Sequence, residues 1–473
     1  MSTEDDDLTR PLLAQDNDAS SPSPAKTEQK INIYAISLIF LFTLVSDIAD
    51  FVSIAPLTRV LEDITCRNYY NTSSRPDESQ CKIPQVQGPV VEIFGMQTFF
   101  DGIVGILLGL YFGALADRIG RRPIFITSAT GLFLASCWTL LVCWMEWPLR
   151  LAWLSSTFLL IGGGSAVSNA CLTMILTDST PQSARSSVFL YFTASYLGSE
   201  VIAPPIASYF IDTDPWIPLL LGLGCLALAV VIAASTPETL PKPLDDAEQQ
   251  IKEEVSFKST LRHVVKSIAY IRDHPTLLLL VCVFSVSDFA RQSLMYLVQY
   301  VSIRYKLSLG KANYLLSWRA AASILLNLLI LPLVDRTLRV NRAMEPARKD
   351  MLLARVSICF ITTGFVILAL APNVAVVISG LTLYTLGGAF GIFLRSLISM
   401  LVDPHRLGSI YSTLSLMDTV GSLVAGPVLA QALKWGIRWG GIWRGLPYIF
   451  SSALCGAAAV ALLASRAHKI IEL

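Results

Sequence analysis

Hydrophobic residues are grouped in long runs along this chain, and shorter polar stretches separate them. Each run has about 20 predominantly apolar residues or more, the length with which an α-helix crosses about 30 Å of hydrocarbon. Twelve runs can be assigned, and we number them spans 1 to 12. They cover residues 32–57, 89–116, 123–145, 151–177, 188–211 and 217–236, and then 276–303, 313–334, 351–371, 374–394, 409–431 and 446–464. The pattern predicts an all-α membrane protein with twelve transmembrane helices.

The composition agrees with this prediction. Of the 473 residues, 53% are hydrophobic and 15% are charged, and the mean hydropathy is +0.57. A soluble protein of this length could not bury so much apolar surface. The formal net charge of +1 says nothing about partners, because opposite charges are distributed over different loops. We expect the lipid bilayer as surroundings, no nucleic-acid partner, and a monomer.

Lysine and arginine set the expected orientation. Their excess is sharpest in the short loops 117–122 and 335–350, which places these loops and both termini in the cytoplasm. Residues 1–31 are polar, acidic and rich in Ser and Pro, and they are typical of a disordered tail rather than a cleavable signal peptide. Residues 465–473 form a second short tail. The plasma membrane is the default location, with a vacuolar membrane as the alternative.

The polar stretch from 58 to 88 is expected on the external side. It contains Asn71 in a glycosylation sequon, together with Cys66 and Cys81. In an oxidising compartment the two cysteines could form a disulfide. The remaining cysteines lie mostly inside apolar runs, and no spacing of cysteine or histidine is typical of a zinc site. We therefore expect neither a metal nor a cofactor.

The chain divides into two halves that resemble each other. The first half covers residues 32–236 and the second covers 276–464, with a polar linker at 237–275. Apolar spacing over 245–273 predicts amphipathic helices at the inner membrane surface. Shifting the chain by 218 residues places Asp117-Arg118 on Asp335-Arg336, each directly after the second span of its half. This offset indicates an internal repeat.

A short charged stretch, residues 113–123, joins spans 2 and 3, and we call it the basic hairpin. Its defining residues are Gly113, Asp117, Arg118, Gly120, Arg121 and Arg122. Gly113 would allow a neighbouring helix to come close, Asp117 and Arg118 would form a charged pair, and Gly120 would permit the turn. Pro123 suits the first turn of the next helix.

The pattern G-x-x-x-D-R-x-G-R-R of the hairpin resembles the loop between helices 2 and 3 of the major facilitator superfamily at every defining position. The resemblance covers nearly the whole chain after residue 31. It implies two pseudo-symmetric six-helix bundles around a central cavity and transport by rocking of the two halves. It also implies that the basic hairpin latches the cytoplasmic side when the carrier is open outward.

Ionisable side chains within the spans are costly in a membrane, so each is a candidate for substrate binding or proton coupling. They are Asp47, Asp50, Glu92, Asp101, Glu200, Asp288, Arg291, Arg319 and Asp418. Asp47 and Asp50 are three residues apart and share one helical face. Two neighbouring carboxylates in a poorly hydrated cavity cannot both ionise cheaply, so one could carry the transported proton. Alternatively, Asp50 is solvated near the outer end of span 1 and has a structural role.

The remaining charges leave several roles open. Asp101 and Glu200 lie near the middle of their spans and are hard to solvate, which favours a functional role. Asp288 and Arg291 could neutralise each other, or they could bind a proton and an anionic group. Arg319 could contact a substrate carboxylate or extend to the outer membrane surface.

Glycine and proline residues interrupt several spans. Gly162-Gly163-Gly164 should weaken span 4, Pro204-Pro205 should kink span 5, and Gly426-Pro427 should do the same in span 11. Antiporters of the family often carry an arginine three residues before the span 4 glycines, but this chain has Leu159 there. The usual antiporter proton relay is therefore in doubt.

Because the chain has no phosphate-binding loop of the G-x-x-x-x-G-K-[ST] kind, we predict a secondary active transporter of a small organic solute. Protons are the expected coupling ion. By resemblance to multidrug and metabolite exporters, we favour export of a hydrophobic or amphipathic compound. The alternatives are proton-coupled import of an organic anion, because the first external loop resembles that of folate transporters, and a transporter-like receptor. No arrangement of nucleophile and base predicts an enzyme.

Overall fold

The computed structural model describes residues 32–181, 184–240, 269–338, 345–402 and 407–465. The disordered tails predicted at 1–31 and 465–473 lie outside these residues apart from Ser465, as does most of the predicted amphipathic linker. In the first half the helices are Ile33–Tyr70, Pro84–Ile119, Arg121–Trp144, Gly164–Asp178, Arg185–Ile211 and Trp216–Ser235. Two 3-10 segments, Glu78–Cys81 and Leu149–Ile161, lie between them.

In the second half several spans are built from more than one helical segment. The α-helices are Pro275–Arg291, Leu297–Tyr305, Leu309–Leu325, Leu331–Arg336, Pro346–Leu370, Val374–Leu386, Phe390–Leu401, Leu407–Trp439 and Leu446–Ala464. The 3-10 segments Gln292–Tyr296 and Gly441–Gly445 and the π-helical turn Leu326–Ile330 complete them.

Eleven helical segments among the described residues are long and apolar enough to cross a membrane. The twelfth predicted span, span 5, is the helix Arg185–Ile211, whose serines, threonine and Glu200 lower its apolar character. The predicted helical membrane fold is confirmed, and twelve spans agree with it.

Span 1 is longer than predicted. We expected it to end at residue 57, but its helix continues to Tyr70, so the polar loop is confined to residues 71–83. The extension reads as polar because of Arg59 and Glu62, yet both side chains are buried and lie within 4.0 Å of each other. Pairing makes these charges compatible with a packed helix. Cys66 therefore lies on a helix rather than in a loop.

Span 4 is interrupted where the sequence predicts weakness. A 3-10 segment ends at Ile161, and the following α-helix begins at Gly164. Gly163 and Gly164 have φ angles of +77° and +70°, a region that favours glycine. A Cβ at Gly162 would collide with the backbone of Ser128 on span 3. The three glycines thus break the helix and bring two spans together.

The spans form two bundles with two main contacts between them. The largest buried core lies in the second half, around Phe365, Tyr384 and Tyr448, and a separate core in the first half contains Phe42 and Phe125. Span 2 packs on span 11, and span 5 packs on span 8. We call the end of the molecule that carries loop 71–83 the disulfide side, and the end that carries the basic hairpin the hairpin side.

Candidate functional site

A cavity of about 450 Å³ opens among the spans of the first half. Its lining combines acidic, hydroxyl, amide and aromatic side chains with a few aliphatic ones. They are Phe42, Thr43, Ser46, Asp47, Asp50, Ala129, Leu132, Ser136, Ser165, Ser168, Asn169, Leu172, Phe192, Thr193, Tyr196, Leu226 and Ala229. Such a wall can hold a partly apolar solute and orient its polar groups.

Asp47 and Asp50 are the only acidic residues in this lining. Asp50 is exposed to the cavity and Asp47 is half-buried, with a buried Oδ2. Among the residues that the structure describes, neither carboxylate has a hydrogen bond or an ion pair. The shared helical face predicted for this pair therefore opens into a cavity, and Asp50 lies in the middle of the helix Ile33–Tyr70 rather than near its end.

Asp101 lies apart from the cavity. Its carboxylate accepts hydrogen bonds from Gln97 Nε2 at 2.9 Å and from Ser156 Oγ at 2.6 Å. Gln97 also donates to Ser155 Oγ at 2.9 Å, so the cluster connects span 2 with the 3-10 part of span 4. The geometry gives Asp101 a local structural role and does not bring it together with Asp47 and Asp50.

The Glu200 side chain makes a contact between the two halves. Its carboxylate forms an ion pair with Arg319 Nη2 of span 8, and its side chain is only 1% exposed. Pro204 has no N–H to donate to the Glu200 carbonyl one turn earlier, and that carbonyl accepts from Ser317 Oγ at 3.5 Å instead. The Pro204 carbonyl accepts from Asn313 Nδ2 at 3.0 Å. The predicted kink of span 5 thus supplies acceptors to the opposite half.

Arg319 is paired with Glu200 in this conformation and does not line the cavity described above, so its contact with a substrate carboxylate stays a prediction. Arg291 has Asp418 of span 11 within 3.8 Å. Its predicted pairing with Asp288 stays a prediction. The side chain of Asp288 lies outside the described part of the structure. Neither arginine is positioned against Asp47 or Asp50.

Spans 2 and 11 make the closest contact between the halves. A Cβ at Gly95 would collide with that of Ala430, and a Cβ at Gly426 would lie 3.0 Å from the Gly95 carbonyl. One turn towards the disulfide side, Lys434 Nζ donates to Glu92 Oε2 at 2.6 Å. By contrast, a Cβ at Gly109 or Gly113 of span 2 would meet nothing within 4 Å. The halves are therefore in close contact on the disulfide side, and among the described residues neither glycine near the hairpin end of span 2 makes such a contact.

The basic hairpin is held by residues of its own half. Arg121 forms an ion pair with Asp178 of span 4, and Arg122 Nη2 donates to the Ala234 carbonyl at 2.7 Å. Asp117 and Arg118 are exposed. Among the described residues no atom lies within 4 Å of a Cβ placed at Gly113, so the structure does not show the helix contact that we predicted for it.

Glu238, directly after span 6, caps the start of span 3. Its carboxylate accepts from the backbone N–H groups of Arg121 at 3.0 Å and Arg122 at 3.1 Å. The N–H groups of Thr239 and Leu240 also donate to it. Partial burial acts to raise the pKa of Glu238, but these four donors outweigh it and the pKa is lowered. Gly120 is required beside it, because its φ is +113° and a Cβ there would collide with the carboxylate.

Cys66 and Cys81 are joined by a disulfide between the end of span 1 and the 3-10 turn of the loop. Asn71 ends span 1 in a left-handed conformation, and its side chain is exposed. The predicted acceptor is therefore accessible.

Sequence reasoning missed most of the cavity wall. Ser165, Ser168 and Asn169 follow the glycine break of span 4 directly, and this position is the signal that could have pointed to them. Glu238 lies in the predicted linker, and its role as a cap was not predicted, although acidic residues favour the start of a helix. Its partner helix is distant in sequence, so no local pattern could have shown the contact.

Comparison with known proteins agrees with this architecture. Residues 88–425 match the profile of the Major Facilitator Superfamily. The MFS efflux pump atnC of Emericella nidulans is 37% identical over 470 residues, which cover 96% of this chain and 92% of atnC. The efflux pump ustT of Aspergillus flavus is 28% identical over 446 residues, covering 88% of this chain and 86% of ustT.

Solved structures share the fold at low sequence identity. A variant of the nucleoside transporter NupG aligns with a TM-score of 0.67 and 12% identity, covering 91% of this chain and 99% of that chain. The human organic anion transporter MFSD10 aligns with a TM-score of 0.59 and 16% identity, covering 90% of this chain and 98% of that chain. With a matching profile, a similar efflux pump along almost its full length and two six-helix bundles, the chain belongs to the major facilitator superfamily and is a multi-pass membrane transporter.

Proposed function

We propose that this protein exports a small organic solute in exchange for protons, by alternating access of the first-half cavity to the two sides of the membrane. The observation that carries the proposal is the unpartnered carboxylate pair, Asp47 and Asp50, in the wall of that cavity. The names of the relatives atnC and ustT, both efflux pumps, support the direction.

A pair of carboxylates without a cationic partner is suited to the exchange of a solute for protons. Among the described residues no arginine or lysine lines the cavity, so the pair is available to a proton or to the polar part of a solute. Competition between the two for the same carboxylates would couple solute release to proton uptake. The aromatic rings of Phe42, Phe192 and Tyr196 supply an apolar surface for the rest of the solute.

We further propose that the hairpin side faces the cytoplasm and that the plasma membrane is the site of action. The excess of basic residues in the hairpin and the accessible sequon on the opposite side support this orientation. The close contacts between spans 2 and 11 lie on the disulfide side, which supports a conformation that is closed on that side and opens towards the cytoplasm. The domain limits 32–236, 237–275 and 276–464 belong to the same proposal.

Import of an organic anion is less well supported. That alternative needs a free arginine at the site, but Arg319 is paired with Glu200 and Arg291 lies beside Asp418. Neither contributes to the cavity wall.

The test uses the purified carrier in liposomes that contain a pH-sensitive dye, under an imposed proton gradient. A panel of drug-like cations, neutral metabolites and aromatic acids is added, and solute and proton movement are recorded together. We expect solute movement against the direction of proton movement, and loss of this coupling in Asp47→Asn or Asp50→Asn.

The matched control is Asp63→Asn on the same helix, because Asp63 pairs with Arg67 outside the cavity. It should leave coupling unchanged. Solute movement without proton flux in the wild type would contradict the proposal, and so would coupling that survives in both cavity variants. Co-directional fluxes would favour import instead.

A further inference from the structure

The loop on the disulfide side contacts the second half directly at one end of its 3-10 turn, Glu78–Cys81, and through Gln87 of span 2 at the other end. At one end, Glu78 Oε1 accepts from the backbone N–H of Leu309 in span 8 at 2.8 Å. At the other end, the Cys81 carbonyl accepts from Gln87 Nε2 at 3.0 Å, and Gln87 Oε1 accepts from Gln299 Nε2 at 3.0 Å. Gln87 and Gln299 are both buried.

Glu78 meets span 8 at a position that favours a carboxylate. Leu309 is the first residue of its helix, where a backbone N–H has no helical acceptor and the helix dipole attracts a negative charge. The Ser308 side chain caps the neighbouring donor, Lys311 N–H, at 3.4 Å. Glu78 thus completes the start of a helix that belongs to the other half.

Residues of the first half hold Glu78 in place. Lys82 Nζ lies 2.9 Å from both Glu78 and Glu62, and Arg59 lies 4.0 Å from each of these carboxylates. The Lys82 side chain is only 4% exposed and that of Glu62 only 1%. Two positive and two negative groups therefore balance in a buried cluster that orients Glu78 without help from the second half.

The disulfide anchors this turn to span 1. Cys66 and Cys81 are fully buried and lie 15 residues apart in sequence. Without the bond, the loop would lose more conformational entropy each time it presented Glu78 to the second half and the Cys81 carbonyl to Gln87. The covalent link pre-organises both contacts.

We propose that loop 71–83 is a gate that holds the disulfide side of the carrier closed, with Glu78 as its contact residue and the Cys66–Cys81 bond as its anchor. Contacts within the first half persist in every conformation, so they do not shift the balance between conformations. The Glu78–Leu309 and Gln87–Gln299 bonds join different halves and exist only while this side is closed. The proposal rests on the proposed function in one respect, because a gate requires that the halves move.

The test measures the opening of this side directly. Fluorophores are attached through unnatural amino acids at Arg150 and Pro372, which are exposed on the disulfide side of the first and second halves. Single-molecule energy transfer in the full-length carrier in lipid then reports the ratio of open to closed molecules. We expect Glu78→Ala to raise this ratio about tenfold, as for loss of one charge-assisted hydrogen bond from one state only. The double variant Cys66→Ser/Cys81→Ser should change the ratio in the same direction.

Asp77→Ala is the matched control, because the Asp77 carboxylate accepts from Ser79 within the same loop. It should leave the ratio unchanged. An unchanged ratio in Glu78→Ala would overturn the proposal, as would an equal effect of Asp77→Ala. If the cysteine variant does not fold, Glu78→Ala and Gln299→Ala still test the gate, because each removes one hydrogen bond between the halves and should raise the ratio of open to closed molecules. The readout needs neither solute nor protons, so a failure of the proposed proton coupling would leave this result intact.

Discussion

The ion pair between Glu200 and Arg319 should stabilise the conformation that is closed on the disulfide side. It joins span 5 to span 8, and the Glu200 side chain is 1% exposed while that of Arg319 is 22% exposed. Substituting Glu200→Gln removes one charge and leaves the guanidinium largely buried without its counter-ion. Arg319→Gln likewise leaves the buried Glu200 carboxylate without its counter-ion.

The expected magnitude follows from the burial. A hydrogen bond to a charged group contributes about 1.5–3 kcal/mol, and breaking a well-buried pair costs about 3–5 kcal/mol. Arg319 is partly exposed, and Glu200 Oε2 and Arg319 Nε have no described hydrogen bond, so the pair has a single contact. We therefore expect each single substitution to destabilise the closed state by about 2 kcal/mol relative to the open state, which corresponds to about a 30-fold rise in the ratio of open to closed molecules.

The assay is the same energy-transfer measurement between Arg150 and Pro372, applied as a double-mutant cycle. Each single variant should favour the open state, and the double variant Glu200→Gln/Arg319→Gln should recover much of the closed state, because neither charge is then left unpaired. Single variants with the wild-type ratio would show that the pair persists in both conformations. A double variant with strictly additive effects would show that the two residues act separately. Either result refutes the reasoning.

Three further predictions follow from other contacts. Gly426→Val should hold the disulfide side open in the same assay, because a Cβ there meets Thr98 at 2.9 Å, whereas Gly421→Ala, with nothing nearer than 4.0 Å, should have little effect. Glu238→Gln should speed hydrogen exchange of the Arg121 and Arg122 amides about tenfold at neutral pH. The lowered pKa of Glu238 means that its contribution is full above the ordinary glutamate pKa and is lost as the pH falls through the folded value, so acidification should remove the difference between variant and wild type. Asn71→Gln should remove a glycan-dependent mobility shift in protein from a glycosylating host; an unchanged shift would exclude Asn71 as the acceptor.

The helical architecture could be predicted from the sequence because membrane helices need long apolar runs. Span 12 was predicted at 446–464, and its helix is Leu446–Ala464. The prediction was wrong where charges are neutralised by neighbours, as at the end of span 1, because Arg59 and Glu62 read as loop residues until their pairing is seen. Helix interruptions were predictable where glycine or proline marks them. Glycines mark the break in span 4, and Pro332, which has no N–H to donate to the Leu328 carbonyl, closely follows the π-helical turn Leu326–Ile330.

Of the residues that form the candidate site, only the charged ones could be predicted from the sequence. A carboxylate in an apolar run is conspicuous, which identified Asp47 and Asp50, but the same rule also selected Asp101. Whether such a group faces a cavity or is satisfied locally depends on residues from other spans, such as Ser156 beside Asp101. Serine and asparagine are common in packed helices, so only the position of Ser168 and Asn169 after the glycine break of span 4 could have pointed to them.

The positions of these groups separate binding from gating. The described cavity is lined by the first half alone, whereas the contacts that close the disulfide side involve spans 8 and 11 of the second half. Glu200, Glu78 and Gly426 all act at that interface, and none of them lines the cavity. A substitution there should change how often the cavity opens to each side while leaving the intrinsic affinity of the cavity for a solute unchanged. Substitution of Asp47 should do the reverse, so the two groups of variants can be told apart even before the solute is identified.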